Sequence, residues 1–307
     1  MAEPAVLIVK LGALGNVILS LNAFAAIRGH HANARISVLT TAPYAAWLEQ
    51  APWFDQVLVD TRPRWWNFPE LHRLRRMLIA PGFSRVYDLQ TSSRSSYYFQ
   101  LFPRAAKPEW SGIAPGCSHP DRDPNRDRMH DNDRQIGQLR QAGIVDIPSA
   151  DLSWCRGDIG RFGLPRDFVV LVAGSAPHRV AKRWPSPRFQ ELAQALRAQG
   201  LTPVVVGSHA EGPIARAIPA AVDLTGQTSF GDLADLGRAA HFAVGNDTGP
   251  MHLLATAGCP VVVLFSHDSD PALCAPRGPD VRVLRRPDLA SLDVAAVLAE
   301  LPHLVAA

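Results

Sequence analysis

The stretch AVLIVKLGALGNVILSL, residues 5–21, reads as a buried strand, a turn built on Gly12 and Gly15, and the start of a helix. A continuous apolar run that meets a glycine turn and leaves as a second apolar run opens a βαβ unit, and so predicts a parallel sheet. Gly12 and Gly15 stand alone and do not make the G-x-G-x-x-G fingerprint of a dinucleotide fold. Two readings of the turn remain. It brings backbone N–H groups close to a polar ligand, or it is a simple strand-to-helix turn with Asn16 as the helix cap.

Outward from this unit the alternation continues. Strands are expected at 35–40 (RISVLT), 57–60 and 85–90 (RVYDLQ), and helices at 17–28, 44–50 and 69–79. From 107 to about 166 the chain turns rich in Pro, Asp and Arg and loses periodicity. It reads as a long surface loop followed by a short helix at 135–142. Order resumes at FVVLVAG, residues 168–174. Then come a helix at 186–199, a strand at 202–207, helices at 211–217 and 231–239, the strand HFAVGND and a helix at 250–258. The strand PVVVLF and an amphipathic helix over 292–304 complete the pattern. The expected fold class is α/β, with two Rossmann-like domains, 1–160 and 161–307, whose parallel sheets face a central cleft. Ligands are expected beyond the carboxyl ends of the strands.

A chain of 307 residues, 47% hydrophobic, has room for two domains with real cores. A formal net charge of +3 argues against a dedicated nucleic-acid binder and suits an anionic ligand or membrane surface. Cys117, Cys155, Cys259 and Cys274 lie far apart in the sequence, so neither a metal site nor a disulfide framework is expected. MAEPAVLIVK lacks a basic n-region and a cleavage site, and no apolar run approaches ~18 residues. The expected compartment is the cytoplasm.

Two motifs carry the chemistry. In GSAPHRVAKRWP, residues 174–185, small residues close a strand and a cation follows, which suits a diphosphate or is a solvated basic loop. In VGNDTGPMHLLATAGCPVVVLF, residues 244–265, Asp247, Thr248 and Gly249 turn a strand into a helix whose positive end favours phosphate, and His252 lies one helical turn on. A further stretch, RPRWWNFPELHRLRRML at 62–78, interleaves arginines with Trp65, Trp66 and Phe68. It suits a surface that meets anionic headgroups, or is an ordinary helix with solvated arginines.

GSAPHRVAKRWP, GSHAEG and NDTGPMH, in this order and spacing, resemble the nucleotide-sugar half of family 9 glycosyltransferases, the ADP-heptose:lipopolysaccharide heptosyltransferases. VKLGALGNVILSLNAFAAIR and RVYDLQTSSRSS resemble that family's opening turn and its "DLQ…RS" strand end. The resemblance covers nearly the whole chain. It implies a GT-B fold, inversion at the anomeric carbon, no metal or other cofactor, a nucleotide-sugar donor and a lipid A-linked or other glycan acceptor. It places Ser175, Ala176 and Lys182 at the donor diphosphate, Glu211 at the ribose and Thr228 near the adenine. Asp247, Thr248, Gly249 and His252 complete the phosphate and sugar contacts. Where the family has Gly-Asp after its first strand, with the aspartate as proposed general base, this chain has Gly15-Asn16. An amide orients a hydroxyl and does not take its proton. Asp88 stands as a substitute base or as a strand-end capping residue. A non-catalytic nucleotide-sugar-binding relative and a two-domain sugar-nucleotide epimerase are the competing readings.

Overall fold

The computed structural model describes residues 4–302. The chain separates into two compact units, Met1–Ala150 and Asp151–Ala307. In the first unit the elements run β1 (Ala5–Val9), α1 (Leu14–Ile18), α2 (Leu21–His30), β2 (Arg35–Thr40), α3 (Ala42–Leu48), β3 (Gln56–Val59) and α4 (Phe68–Ile79). They continue with β4 (Arg85–Asp88), α5 (Ser93–Leu101), β5 (Glu109–Gly112), β6 (His119–Pro120) and α6 (Asp131–Gln141). The sheet is parallel throughout, in the order β3-β2-β1-β4-β5-β6.

The second unit holds β7 (Phe168–Val172), α7 (Ser186–Ala198), β8 (Thr202–Val205), α8 (Gly212–Arg216), β9 (Val222–Asp223) and α9 (Phe230–Ala239). Then follow β10 (Ala243–Asn246), α10 (Gly249–Thr256), β11 (Val261–Phe265), α11 (Pro271–Cys274), β12 (Val281–Arg285) and α12 (Val294–Ala299). Its parallel sheet is ordered β9-β8-β7-β10-β11-β12.

Both orders are the doubly wound 3-2-1-4-5-6 pattern, in which the winding reverses between the first and fourth strands and leaves a crevice at their carboxyl ends. The reversal lies at β1/β4 in the first unit and β7/β10 in the second. The central strands are buried on both faces, which is why they read as unbroken apolar runs. In the second unit Phe189, Leu192 and Leu196 of α7 close over Val169 and Leu171 of β7 beside the buried Trp184. In the first, Leu74 and Leu78 of α4 and Phe99 of α5 join Val86 and Trp110.

Several elements depart from the sequence expectation. The helix expected over 17–28 is two helices, α1 and α2. Ser20 at the break donates its hydroxyl to the Asn16 carbonyl at 2.7 Å, a local bond that competes with the helical ladder. The aperiodic segment after 107 contributes β5 and β6. These strands are too short for a periodic signal, and only Trp110 among their residues is a large buried apolar side chain. β9, α11 and β12 were not expected either. Of the helix expected over 292–304, residues 303 and 304 lie outside the described residues, and α12 is its described part. Residues 151–160, placed by sequence with the first domain, go with the second unit. There the Gly157 and Asp158 N–H groups donate to Asp235 Oδ2 and Asp232 Oδ1 of α9 at 2.8 and 3.0 Å. Among the described residues no helix is long and apolar enough to cross a membrane.

Gly245 in β10 is a close-approach glycine: a Cβ there would stand 2.6 Å from Val172 Cβ and 2.7 Å from the Met251 sulfur. Gly245→Ala therefore overpacks the strand pair at the winding reversal. A loss of roughly 1–3 kcal/mol is expected in urea unfolding.

Candidate functional site

In the second unit β7 and β10 pair directly, with Val172 opposite Gly245, so the loops that leave their carboxyl ends are neighbours. The junction is made by Asn246, whose side chain is wholly buried. Its amide nitrogen donates to the Ala173 and Gly174 carbonyls at 2.8 and 3.2 Å, and its oxygen accepts the Trp184 N–H at 2.9 Å. One side chain thus fixes the small-residue loop, the basic loop and the turn into α10. Lys182, on the short turn Val180–Lys182, places its ammonium 2.5 Å from Asp247 Oδ2, which also accepts from Ser269 Oγ at 2.6 Å. Ser175, 5% exposed, donates to the Arg179 carbonyl at 3.0 Å and accepts from Arg183 Nε at 3.0 Å.

Thr248 is the N-cap of α10 in an extended conformation with no side-chain cap, so the helix's first N–H groups are not covered by its hydroxyl. Gly249 opens the helix and His252 is buried within it. Ala176 lies exposed beside Ser175. Glu211 accepts the Ser208 N–H at 2.6 Å, and its carboxylate lies flat against the chain at Gly174, where a Cβ would fall 1.5 Å from Oε1. The ends of β7 and β8 thus share one carboxylate with the loop that carries Ser175. The structure thereby brings together Ser175, Lys182, Glu211 and Asp247, with Thr248 and Gly249 adjoining. Thr228 stands apart in the loop after β9, half-buried, and no hydrogen bond joins it to the others.

The first unit has its own junction. Val9 of β1 lies opposite Asp88 of β4. The Lys10 ammonium is buried and donates to the Leu89 carbonyl at 3.0 Å, while the Leu11 N–H donates to Gln90 Oε1 at 2.8 Å. These bonds sew the glycine turn to the DLQ strand end. Gly12, at φ +118°, lies against the Tyr44 ring, where a Cβ would stand 2.7 Å from Cε2. Asn16 is not a helix cap: Ala13 holds that position, and Asn16 lies within α1, exposed, its amide bonded to no described residue. Asp88 is wholly buried. Its Oδ1 accepts the Gln90 and Thr91 N–H groups at 3.1 and 3.0 Å, and its Oδ2 makes no hydrogen bond to a described residue.

Burial pushes the Asp88 carboxyl up to about 6, against the opposing pull of the Ser95 hydroxyl, the two N–H groups and the Lys10 charge. Burial likewise lowers Lys10 to about 8, with Asp131 and Asp88 pulling it back and Arg134 adding to the fall. Among the described residues no group of three or more His, Cys, Asp or Glu side chains is placed to hold a metal ion.

Sequence reasoning passed over Asn246, Lys10 and Gln90, although all three lie inside the quoted motifs. A polar residue at the buried end of an apolar strand was the signal for the first two. Ser269 carries no such signal, because only the sheet order brings the loop after β11 to Asp247.

Against known proteins, the profile of glycosyltransferase family 9 (heptosyltransferase) matches residues 71–296. The chain belongs to that family. The lipooligosaccharide heptosyltransferase 2 of Haemophilus influenzae is 32% identical over 98 residues, which cover 29% of this chain and 28% of the relative. The match thus spans less than a third of that curated relative's length. Among solved structures, the Escherichia coli ADP-heptose lipopolysaccharide heptosyltransferase II superposes with a TM-score of 0.76 at 21% identity, covering 97% of each chain. The Escherichia coli heptosyltransferase WaaC with ADP gives 0.72 at 22% identity, covering 96% of this chain and 98% of WaaC. The fold of this family 9 chain is therefore GT-B.

Because the folded-state carboxyl of Asp88 titrates near 6 rather than 3.8, the native state holds a proton that the unfolded chain releases. Stability from this group is present below pH 3.8 and is lost as pH rises through 6. Asp88→Asn should flatten that fall. The parent's relative loss between these pH values, of order 1–3 kcal/mol, is read from unfolding curves of both proteins.

Proposed function

We propose that the chain is an inverting, metal-independent glycosyltransferase. It transfers heptose, or a related sugar, from ADP-heptose to a lipopolysaccharide core or similar glycan acceptor. The carrying observation is the convergence of the Ser175 loop, Lys182 and the Asp247–Gly249 turn at the β7/β10 winding reversal. Small residues, a cation and the positive end of a helix together suit a diphosphate. Family membership supports the reading, as does the presence of ADP in the WaaC structure. In the reaction the acceptor oxygen attacks the anomeric carbon, the bond from that carbon to the ADP oxygen breaks, and ADP departs. Lys182, released from Asp247, and the N–H groups at the start of α10 meet the charge that develops on the diphosphate. Glu211 takes the ribose, Thr228 the adenine side, and His252 and Asp247 the sugar and phosphates.

Asn16 favours a second reading, a nucleotide-sugar-binding relative without transfer activity. In the transfer reading its exposed amide orients the acceptor hydroxyl and leaves the proton to another group. Asp88, with its carboxyl raised to about 6, has the basicity for that role. The two readings separate on a donor and acceptor screen: ADP binding without transfer or donor hydrolysis selects the second.

Lys182→Ala should weaken ADP binding by roughly 1–3 kcal/mol in calorimetry, the range for a lost charge-assisted bond. Unchanged affinity removes Lys182 from the site.

Asn16→Asp is close to isosteric and restores a carboxylate in the first turn of α1, where the helix dipole tolerates it. The transfer rate should rise by about one order of magnitude or more with donor affinity little changed. If Asp88→Asn abolishes transfer in the parent and leaves Asn16→Asp active, Asp88 is the parent's base. A rate unchanged or lowered by Asn16→Asp, on substrates the parent uses, overturns the assignment of position 16.

A further inference from the structure

The buried face of α6 is polar where a helix against a sheet is ordinarily apolar. Asp131, Gln135 and Gln138 stand at i, i+4 and i+7, so they share one face, and they are 8%, 1% and 1% exposed. Direct bonds pin both ends of the helix. Near its start, Asn132 Nδ2 donates to the Leu19 carbonyl and to Asn22 Oδ1, each at 2.9 Å. Near its end, Gln138 Nε2 donates to the Asp88 carbonyl at 3.1 Å and to Ser111 Oγ at 3.2 Å.

Between those ends, complementary groups stop short of one another. Neither atom of the Gln135 amide has a hydrogen bond to a described residue, and the same holds for Gln138 Oε1 and Asp131 Oδ2. Asp131 Oδ1 is taken by Arg134. Opposite lies the Lys10 ammonium. It donates to the Leu89 carbonyl at 3.0 Å, one peptide unit on from the Asp88 carbonyl that Gln138 holds. It makes no ion pair with a described carboxylate, although the Asp131 charge acts on it through space. An ammonium has three donors. Donors on Lys10 and Gln135 therefore meet acceptors on Asp131, Gln135 and Gln138 across a gap wider than a direct bond. Each such group left unpaired in the core costs stability, and an unpaired charge costs more.

We infer that this interior site binds about two water molecules, which join Lys10 to Asp131, Gln135 and Gln138 and complete the seating of α6 on the sheet. The chemistry of the lining selects the ligand. Water both donates and accepts, makes about three hydrogen bonds when buried, and spans gaps of this kind. An anion would meet Lys10 and be repelled by Asp131, and a cation would meet the reverse. Lys10, at 2% exposure, is as closed off as the two glutamines, which leaves no passage for a larger molecule. Because Lys10 directly precedes the glycine turn after β1, the waters couple that turn to α6. The inference is independent of the transfer reading.

The test reads the water and the stability separately. In the 15N-labelled protein, the Gln135 side-chain amide protons should give rotating-frame Overhauser cross-peaks to water, opposite in sign to exchange peaks. Gln135→Met keeps the length of the side chain and removes its polar atoms. It should raise the unfolding equilibrium constant in urea by about tenfold or more, because Lys10 and Asp131 lose their bridge. Gln135→Ala leaves room for a further water and should raise that constant less. An amide that is merely unpaired gives the opposite order, since Met then relieves its cost and Ala opens a cavity. Absence of the cross-peaks overturns the proposal. So does a Gln135→Met protein as stable as the parent or more so, or a larger loss in Gln135→Ala than in Gln135→Met. If Gln135→Met does not fold, the cross-peaks of the parent decide alone.

Discussion

Asn246 ends β10 with no surface in water, and every polar group of its amide is engaged with the main chain: two carbonyls after β7 and the N–H of Trp184. A buried amide left unpaired costs about 1–3 kcal/mol per group, so the geometry is held at three points at once. The loop with Ser175, the loop with Lys182 and the turn with Asp247 take their positions from this one residue. Trp184 is itself held from the far side, its indole N–H donating to the Leu292 carbonyl at 2.9 Å. The polar cluster of the second unit is therefore an extension of the core, and its precision comes from packing behind Trp184.

The first unit solves the same problem with a charge. Lys10 follows β1 directly and reaches the strand-end carbonyl of Leu89, so a buried ammonium ties the glycine turn to β4. That arrangement requires carboxylates nearby, and Asp88 and Asp131 supply them. An ammonium lowered to about 8 and a carboxyl raised to about 6 share one polar pocket around the carboxyl ends of β1 and β4. Such a pocket is sensitive to pH from both directions, because each group is displaced toward neutrality by the same burial.

How much of this was legible in the sequence depended on length and repetition. Runs such as FVVLVAG and PVVVLF are long, apolar on both faces and bounded by turn residues, and they became β7 and β11. β6 and β9, at two residues each, have no periodicity to read, and the break at Ser20 is a side-chain bond inside an otherwise helical pattern. The motifs that meet at the β7/β10 junction were legible because their residues are close in sequence. Ser269 was not, since it approaches Asp247 only through the order of strands. Asn16 looked like a cap from its position after Gly15, but the helix starts two residues before it, at Leu14, with Ala13 as the cap.

The fit of Glu211 against Gly174 has a consequence for the variation this chain tolerates. Any side chain at 174 would occupy the space of the Glu211 carboxylate, and one at 207 would approach the same group at 2.6 Å. The three positions are therefore coupled. A lineage that enlarges residue 174 or 207 must turn the Glu211 carboxylate away or shorten that side chain, and either change takes from the Ser208 N–H the acceptor it has now.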